Sequence, residues 1–320
     1  MNNEIKKVLV VGGAGYIGGA VTDVLLERNI SFSVYDVLLY EHQYLKPVDF
    51  IYGDIRDTEK MKKLLPDYSH VIWLAAIVGD AACQIKPELT IQVNRDSVRW
   101  FCENYNGKII FTSTCSVYGQ NIDEVNEDSS LNPLSLYAKT KMEAEEFLRQ
   151  KNSIIFRLGT VFGISDTFSR IRMDLVVNYI TAKAIKDGKI SIFNGNQWRP
   201  LIHVHNVAEA IVNGLEKNAK GTFNISTLNY QIKELGQEVS KITGCEIEYV
   251  NKSFEDSRNY HVNVNKAQEQ GLLNFKKVFS INDGSRQISD LIKSGRLKYA
   301  DNDLYFNERH IANLNNNGKI

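Results

Sequence analysis

The first apolar run of the chain, Val8-Leu9-Val10-Val11, has no polar alternation and passes directly into Gly12-Gly13-Ala14-Gly15-Tyr16-Ile17-Gly18-Gly19. A short unbroken β-branched run predicts a strand buried on both faces of a parallel sheet, and the glycines predict a tight turn opening a helix. The pattern recurs to about residue 160. Strands are predicted at Val8–Val11, Phe32–Tyr35, Asp49–Tyr52, Val71–Leu74, Ile109–Thr112 and Ile154–Arg157, with helices near 17–28, 58–65, 88–105 and 136–150 between them. Such alternation predicts an α/β doubly wound parallel sheet. Beyond Arg157 it loosens: a helix at 172–187 leads through Ile190–Phe193 to Arg199, then a helix from about 206 to 217 and a mixture of short elements. The expected division is a dinucleotide-binding domain over 1–165 with a returning segment at about 201–225, and a smaller mixed α/β substrate lobe from 166–200 and 226–300. The tail 301–320 is expected to be poorly ordered from Asn307 on, with five asparagines there and Tyr305 and Phe306 as docking points.

The spacing Gly12, Gly15, Gly18 gives the glycine turn a chemistry. The first glycine permits the turn, the second lets backbone approach a pyrophosphate, and the third lets helix pack on strand, while free amides at the helix start face the phosphates. Tyr16 and Ile17 open that helix. Asp36 ends the second predicted strand, where a carboxylate binds the hydroxyls of an adenosine ribose. No Arg or Lys occupies 37–39 to neutralise a 2′-phosphate, so the expected cofactor is NAD rather than NADP.

Composition narrows the partners. At 320 residues and 43% hydrophobic content the chain can bury a large core, and 38 basic residues balance 38 acidic ones, leaving no field to recruit nucleic acid or an anionic membrane. Cys83, Cys102, Cys115 and Cys245 lack metal-ligand spacing, which predicts free thiols, a reducing compartment and no metal site. The longest apolar stretch, Val71 to Gly79, falls short of the ~18 residues needed to span a bilayer. A soluble cytoplasmic protein is expected.

The strand at Ile109–Thr112 delivers Thr112-Ser113-Thr114-Cys115-Ser116-Val117-Tyr118-Gly119 at its carboxyl end, where open α/β sheets bind ligands. Tyr137-Ala138-Lys139-Thr140-Lys141 then sets a phenol and an ammonium one helical turn apart. A phenol ionises near pH ~10, and each unit of depression requires ~1.4 kcal/mol of preferential phenolate stabilisation, for which Lys141 and a positive nicotinamide are sources. Tyr179 and Lys183 repeat the spacing. Only Tyr137 follows the hydroxyl-bearing strand end, so Tyr137 is assigned to acid–base chemistry and Tyr179 to packing beside a solvated lysine.

Taken together, VGGAGYIGG, Asp36, Gly53-Asp54, Leu74-Ala75-Ala76, Asn94, TSTCSVYG and YAKTK resemble the extended short-chain dehydrogenase/reductases, specifically the NAD-dependent epimerase/dehydratase family acting on nucleotide sugars, over roughly residues 7 to 293. The resemblance implies a Rossmann-like sheet with a C-terminal substrate lobe. It implies that Thr114 hydrogen-bonds the sugar oxygen, Tyr137 is the general base and Lys141 orients the nicotinamide ribose. Asp54 and Ile55 match adenine contacts, Leu74, Ala75 and Ala76 the segment lining the cofactor, and Asn94 a residue near the bound dinucleotide. Arg199, in Arg199-Pro200-Leu201-Ile202-His203-Val204, matches the family's basic segment that contacts the nucleotide diphosphate or ribose, and Arg258 matches the later diphosphate-binding arginine. His203 and His205 are assigned to packing or capping. Stretches 77–83 and Arg172 to Asn178 resemble a bacterial polysaccharide branch that includes GDP-heptose 4-dehydrogenases, which adds Asn178 to the substrate set. Relatives commonly dimerise through a helix pair such as 88–105 and 136–150, where Trp100, Phe101, Phe147 and Leu148 suit a homodimer.

Departures from the family pattern narrow the reaction. Sugar 4,6-dehydratases carry Asp and Glu directly after the catalytic Thr; here Cys115 and Ser116 stand there, which disfavours 4,6-dehydration. Thr160 replaces the Asn of many relatives beside the sugar phosphate. The expected activity is oxidation of carbon 4 of a nucleoside-diphosphate sugar through a 4-keto species, as a 4-epimerase, which needs no second substrate. The alternatives are a 4-dehydrogenase or ketoreductase and, in another class, a non-catalytic nucleotide sensor, which would have no need of the Thr114, Tyr137 and Lys141 set.

Overall fold

Strands β1 (Val8–Val11), β2 (Phe32–Asp36), β3 (Phe50–Tyr52), β4 (His70–Trp73), β5 (Lys108–Thr114) and β6 (Ser153–Leu158) occupy the first half of the chain in a computed structural model that describes residues 5–41, 43–193, 195–250 and 259–320. After them come β7 (Thr160–Phe162), β8 (Lys189–Phe193), β9 (Trp198–His203), β10 (Gly221–Ile225), β11 (Leu228–Gln231) and β12 (Glu246–Val250). Seven strands form one sheet in the order β10-β6-β5-β4-β1-β2-β3, every neighbouring pair parallel. This is the α/β Rossmann-like architecture. Strand order reverses between β1 and β4, so their carboxyl ends flank a crevice.

Alternate residues of each central strand serve the two helical layers. Val8, Val10, Ile72 and Ile110 pack with Val21 and Leu25 of the helix Tyr16–Glu27 and with Val207 and Ile211 of the helix Val204–Glu216. On the opposite face Leu9, Val11, Trp73 and Phe111 pack with Phe101 of the helix Ser97–Asn104 and with Ala144 and Leu148 of the helix Leu136–Leu148. Phe101 and Leu148 thus belong to the core, whereas Trp100 and Phe147 are only partly covered. Two smaller sheets, β11-β9-β7 and β12-β8, build the opposite wall of the crevice. Among the described residues no helix is long and apolar enough to cross a membrane, and all four cysteines are free and buried.

Three expected elements change. The helix expected at 88–105 is broken into Pro87–Ile91, a π-helical turn Gln92–Asp96 and Ser97–Asn104, with Asp80–Ile85 ahead of it. The buried Asn94 lies in the wide turn, accepting from the Ile77 amide (2.8 Å) and donating to the Ile77 carbonyl (2.9 Å). The helix expected at 172–187 begins only at Val176, the residues before it being drawn into an Arg172–Asp174 ion pair. The tail is the largest correction: it is ordered, and Asn307–Asn316 is a helix. Asn313 and Asn316 face outward, while Ile311, Leu314 and Ile320 join Ile77, Cys83 and Leu89 in one apolar cluster. Replacing Ile311 by Ala is expected to cost about 2–5 kcal/mol in docking of this helix, read by hydrogen exchange as lost amide protection across 307–316 with the sheet unchanged.

Candidate active site

A cavity of about 1490 Å³ runs along the carboxyl ends of the strands between the sheet and the second lobe. At one end lies the glycine turn. Gly12 has φ of +83°, and a Cβ there would sit 2.5 Å from the Ala75 amide, so only glycine lets β1 and the segment after β4 approach this closely. A Cβ on Gly18 would stand 2.5 Å from Gly13. Gly15 caps the helix Tyr16–Glu27 without a side-chain bond, and its first turn holds no acid, so the amides and the positive helix end remain open to an anion.

Asp36 ends β2 at the same cavity, its carboxylate accepting from the Ala14 amide (3.0 Å) and the Leu38 amide (2.8 Å). Burial raises its pKa and these backbone bonds oppose the rise. Asp54, paired with Arg56 at 2.5 Å, and Ile55 border the cavity beyond it. Leu74, Ala75 and Ala76 floor it, with Tyr16 and Ile17 above. An anion-ready helix start, a carboxylate one strand away and a small-residue floor between them fit a dinucleotide such as NAD.

The residues expected to carry the chemistry stand farther along. β5 ends at Thr114, whose Oγ1 donates to Ser116 Oγ (3.1 Å) and accepts from the Ser116 amide (3.1 Å), closing a short turn that keeps the hydroxyl on the cavity wall. Ser135 caps the helix Leu136–Leu148, accepting from the Ala138 amide (3.2 Å) and donating to Asp80 Oδ1 (2.6 Å). That cap brings Tyr137 and Lys141 to the cavity. Burial pushes the Tyr137 phenol well above its ordinary value; Cys83 and Asp80 push further and Arg172 opposes them. Burial pushes the Lys141 ammonium down to about 7, with Glu145 pulling it back up, and its Nζ lies 4.2 Å over the Phe111 ring.

One turn after Lys141, Glu145 is 1% exposed and accepts from Arg157 Nε (3.1 Å) and Nη2 (2.7 Å) and from the Ser113 hydroxyl. Arg157 Nη1 donates to Tyr118 (2.9 Å), whose hydroxyl donates to Asn224 on β10 (2.7 Å). The helix bearing Tyr137 and Lys141 is thereby locked to three strands.

On the far wall Arg199, 6% exposed on β9, borders the cavity, as does Tyr260, whose hydroxyl lies 3.3 Å from Ser116 Oγ. Asn94 and Asn178 do not reach the cavity. Asn178 stands behind the wall, donating to the carbonyls of Gly163 (3.0 Å) and Arg172 (2.8 Å). Arg258 lies outside the described residues. Tyr179 and Lys183, assigned above to packing, sit at the cavity rim with Tyr179 45% exposed. His203 caps the helix Val204–Glu216 through the His205 amide. Sequence reasoning missed Tyr40, Arg170, Arg172 and Asp174 as cavity residues. Their visible signal was a charged Arg-x-Arg-x-Asp alternation just before an apolar helix.

Residues 8–226 match the model of the NAD dependent epimerase/dehydratase family. The chain belongs to this family, and NAD is its cofactor. The UDP-glucose 4-epimerase of Lactobacillus helveticus is 27% identical over 285 residues, 76% of this chain and 83% of that protein. The crystal structure of UDP-glucose 4-epimerase with UDP-glucose from Thermotoga maritima superposes with a TM-score of 0.77 at 25% identity, covering 91% of this chain and 99% of the other. UDP-glucuronic acid 4-epimerase from Bacillus cereus, solved with UDP-glucuronic acid and NAD, gives a TM-score of 0.74 at 25% identity over 90% of this chain and 99% of the other. The protein is an NAD-dependent enzyme of this family.

Because the buried Lys141 ammonium gives up its proton near pH 7 while the unfolded lysine keeps its proton to about 10.5, the unfolded chain binds more protons between these limits. The Lys141 penalty is therefore full below pH 7 and relieved as pH rises towards 10.5. Cofactor-free Lys141→Met should melt higher than the parent at pH 6, with the difference shrinking by pH 9 in a calorimetric series.

Proposed function

We propose that the protein interconverts carbon-4 epimers of a nucleoside-diphosphate sugar through a 4-keto species. The observation that carries this reading is the convergence of Thr114, Tyr137 and Lys141 on the cavity that also holds the glycine turn and Asp36. NAD, when bound, supplies a reversible hydride acceptor. Tyr137 takes the proton of the 4-hydroxyl and returns it, while the Thr114 hydroxyl holds the same oxygen. Lys141 lies one turn behind the phenol, where a positive charge favours phenolate. Arg199 presents a guanidinium to the diphosphate, a group it can grip in two-point fashion. Asp54 and Ile55 flank the adenine end.

The residues after Thr114 support epimerisation over 4,6-dehydration. Cys115 is fully buried with its thiol on the Arg157 carbonyl (3.2 Å), and Ser116 bonds within the turn, so neither brings a carboxylate to the sugar. The 4-epimerases among the relatives make UDP-sugars the first substrates to test. A homodimer formed over the outer faces of Ser97–Asn104 and Leu136–Leu148, where Trp100 and Phe147 are partly covered, belongs to the same reading.

Tyr137→Phe should lower kcat by about 10²–10⁴-fold with NAD affinity kept, measured on a panel of UDP-, GDP-, CDP- and dTDP-sugars with mass and NMR analysis of the product. An isomer of unchanged mass from the parent enzyme supports the epimerase. A released 4-keto sugar with one equivalent of reduced cofactor replaces it by a dehydrogenase, and near-parental turnover in Tyr137→Phe removes Tyr137 from the chemistry.

A further inference from the structure

The helix Asn307–Asn316 is fastened to the cavity by its first residue. Asn307 is 2% exposed and reaches three partners. Its backbone amide donates to Asp174 Oδ2 (3.1 Å), its side-chain amide donates to the Val78 carbonyl (2.7 Å), and its Oδ1 accepts from Arg170 Nη2. Arg170 is further held by the Leu304 carbonyl (2.6 Å) and stacks 4.1 Å over the Tyr40 ring. Asp174 grips Arg172 through Nε (2.6 Å) and Nη2 (2.9 Å).

Arg172 borders the cavity with Tyr137 and is the cation that works against burial on that phenol. Val78, on the other side, belongs to the segment between β4 and the helix Asp80–Ile85 that lines the same space. Below them Ile311 and Leu314 share one apolar cluster with the Tyr137 ring. A guanidinium–carboxylate pair taken out of water offsets its desolvation only when its geometry is fixed and its remaining lone pairs are used. Asn307 supplies a donor to that carboxylate.

We infer that Asn307 is a positioning residue of the active site: it clamps the C-terminal helix to the Arg170–Asp174 segment and to Val78, and so fixes the Arg172 guanidinium, which lies 5.9 Å over the Tyr16 ring, in the cavity that Tyr137 also lines. The clamp is independent of the nucleotide-sugar reading, and its effect on turnover rests on that reading. The charged and titratable groups that face Tyr137 are Asp80 and Cys83 from the helix Asp80–Ile85, Lys141 from its own helix, Tyr260 from the far wall and Arg172. Of the groups acting on the phenol from other elements, Arg172 alone favours phenolate. Loosening it moves the phenol upward and the rising limb of the kcat profile to higher pH.

Two substitutions grade the clamp. Asn307→Ala removes the side-chain bonds, and Asn307→Pro, tolerated at the first position of a helix, also removes the backbone bond to Asp174. Leu215→Ala, in the core helix on the other face of the sheet, serves as a destabilised control. We expect kcat to fall roughly tenfold in Asn307→Ala and up to about 10²-fold in Asn307→Pro, with KM changed far less and the alkaline shift of the limb absent from Leu215→Ala. Hydrogen exchange read without any sugar should show faster exchange in 77–80 and 166–175 in both Asn307 variants. An unmoved pH limb and kcat in Asn307→Pro, or an equal shift in Leu215→Ala, would overturn the positioning role. If the parent turns over no nucleotide sugar, the functional reading fails by itself, and exchange in those two segments still decides the clamp: unchanged exchange rejects it.

Discussion

The buried ion pair between Glu145 and Arg157 is the constraint on which the active site hangs. Both side chains are almost wholly removed from water, 1% and 3% exposed, and such a pair holds only with near-complete satisfaction of its atoms. Ser113 completes the carboxylate and Tyr118 the guanidinium, so the bonds that make the pair tolerable also join the helix Leu136–Leu148 to β5, β6 and, through Asn224, β10. Tyr137 and Lys141 ride on that helix. Their register against Thr114 follows from where Glu145 must sit, and a slide of the helix by one residue would strand a buried charge.

Around this anchor the site separates tasks by depth. The glycine turn and Asp36 present backbone amides and a carboxylate to one end of the cavity with little side-chain freedom to lose. Thr114, Tyr137 and Lys141 occupy the more buried middle, where burial works against a charge on the Tyr137 phenol and on the Lys141 amine alike. Arg199 borders the cavity from β9, while Arg172, paired with Asp174, and Arg170, stacked on Tyr40, border it from the segment before the helix Val176–Asp187.

Much of this was legible in the chain, for physical reasons. Strands buried on both faces leave apolar runs too short for helices, and β1 appears at its observed limits, while β5 runs two residues past its expected end because Ser113 and Thr114 continue the ladder to β6. The Tyr137 and Lys141 spacing is local and survives folding. Features fixed by distant partners were invisible. The tail looked too polar to fold, yet its three apolar residues suffice because Ile77, Cys83 and Leu89 form a ready seat. Asn94 and Asn178 were assigned to the cofactor and to the substrate, whereas in the structure they bond backbone groups of Ile77 and of Gly163 and Arg172. Arg170 and Arg172 acquire meaning only beside Tyr40, Asp174 and Asn307.

β6 and β10 are side-by-side parallel strands, with Ile154 opposite Gly221 and Leu158 opposite Ile225, yet most of the second wall of the cavity, from β7 through β9, is threaded between them. The wall leaves the sheet at Gly159, whose amide bonds the carbonyl of Ile225 (2.9 Å), close to where the chain departs again after β10. Topologically, that part of the wall is an enlarged crossover. Its two ends are pinned by neighbouring strands, so its contents can be lengthened, shortened or rebuilt without disturbing the register of the sheet or the placement of the helix Leu136–Leu148. An architecture of this kind lets the shape of the pocket drift through evolution while the helix bearing Tyr137 and Lys141 stays where it is.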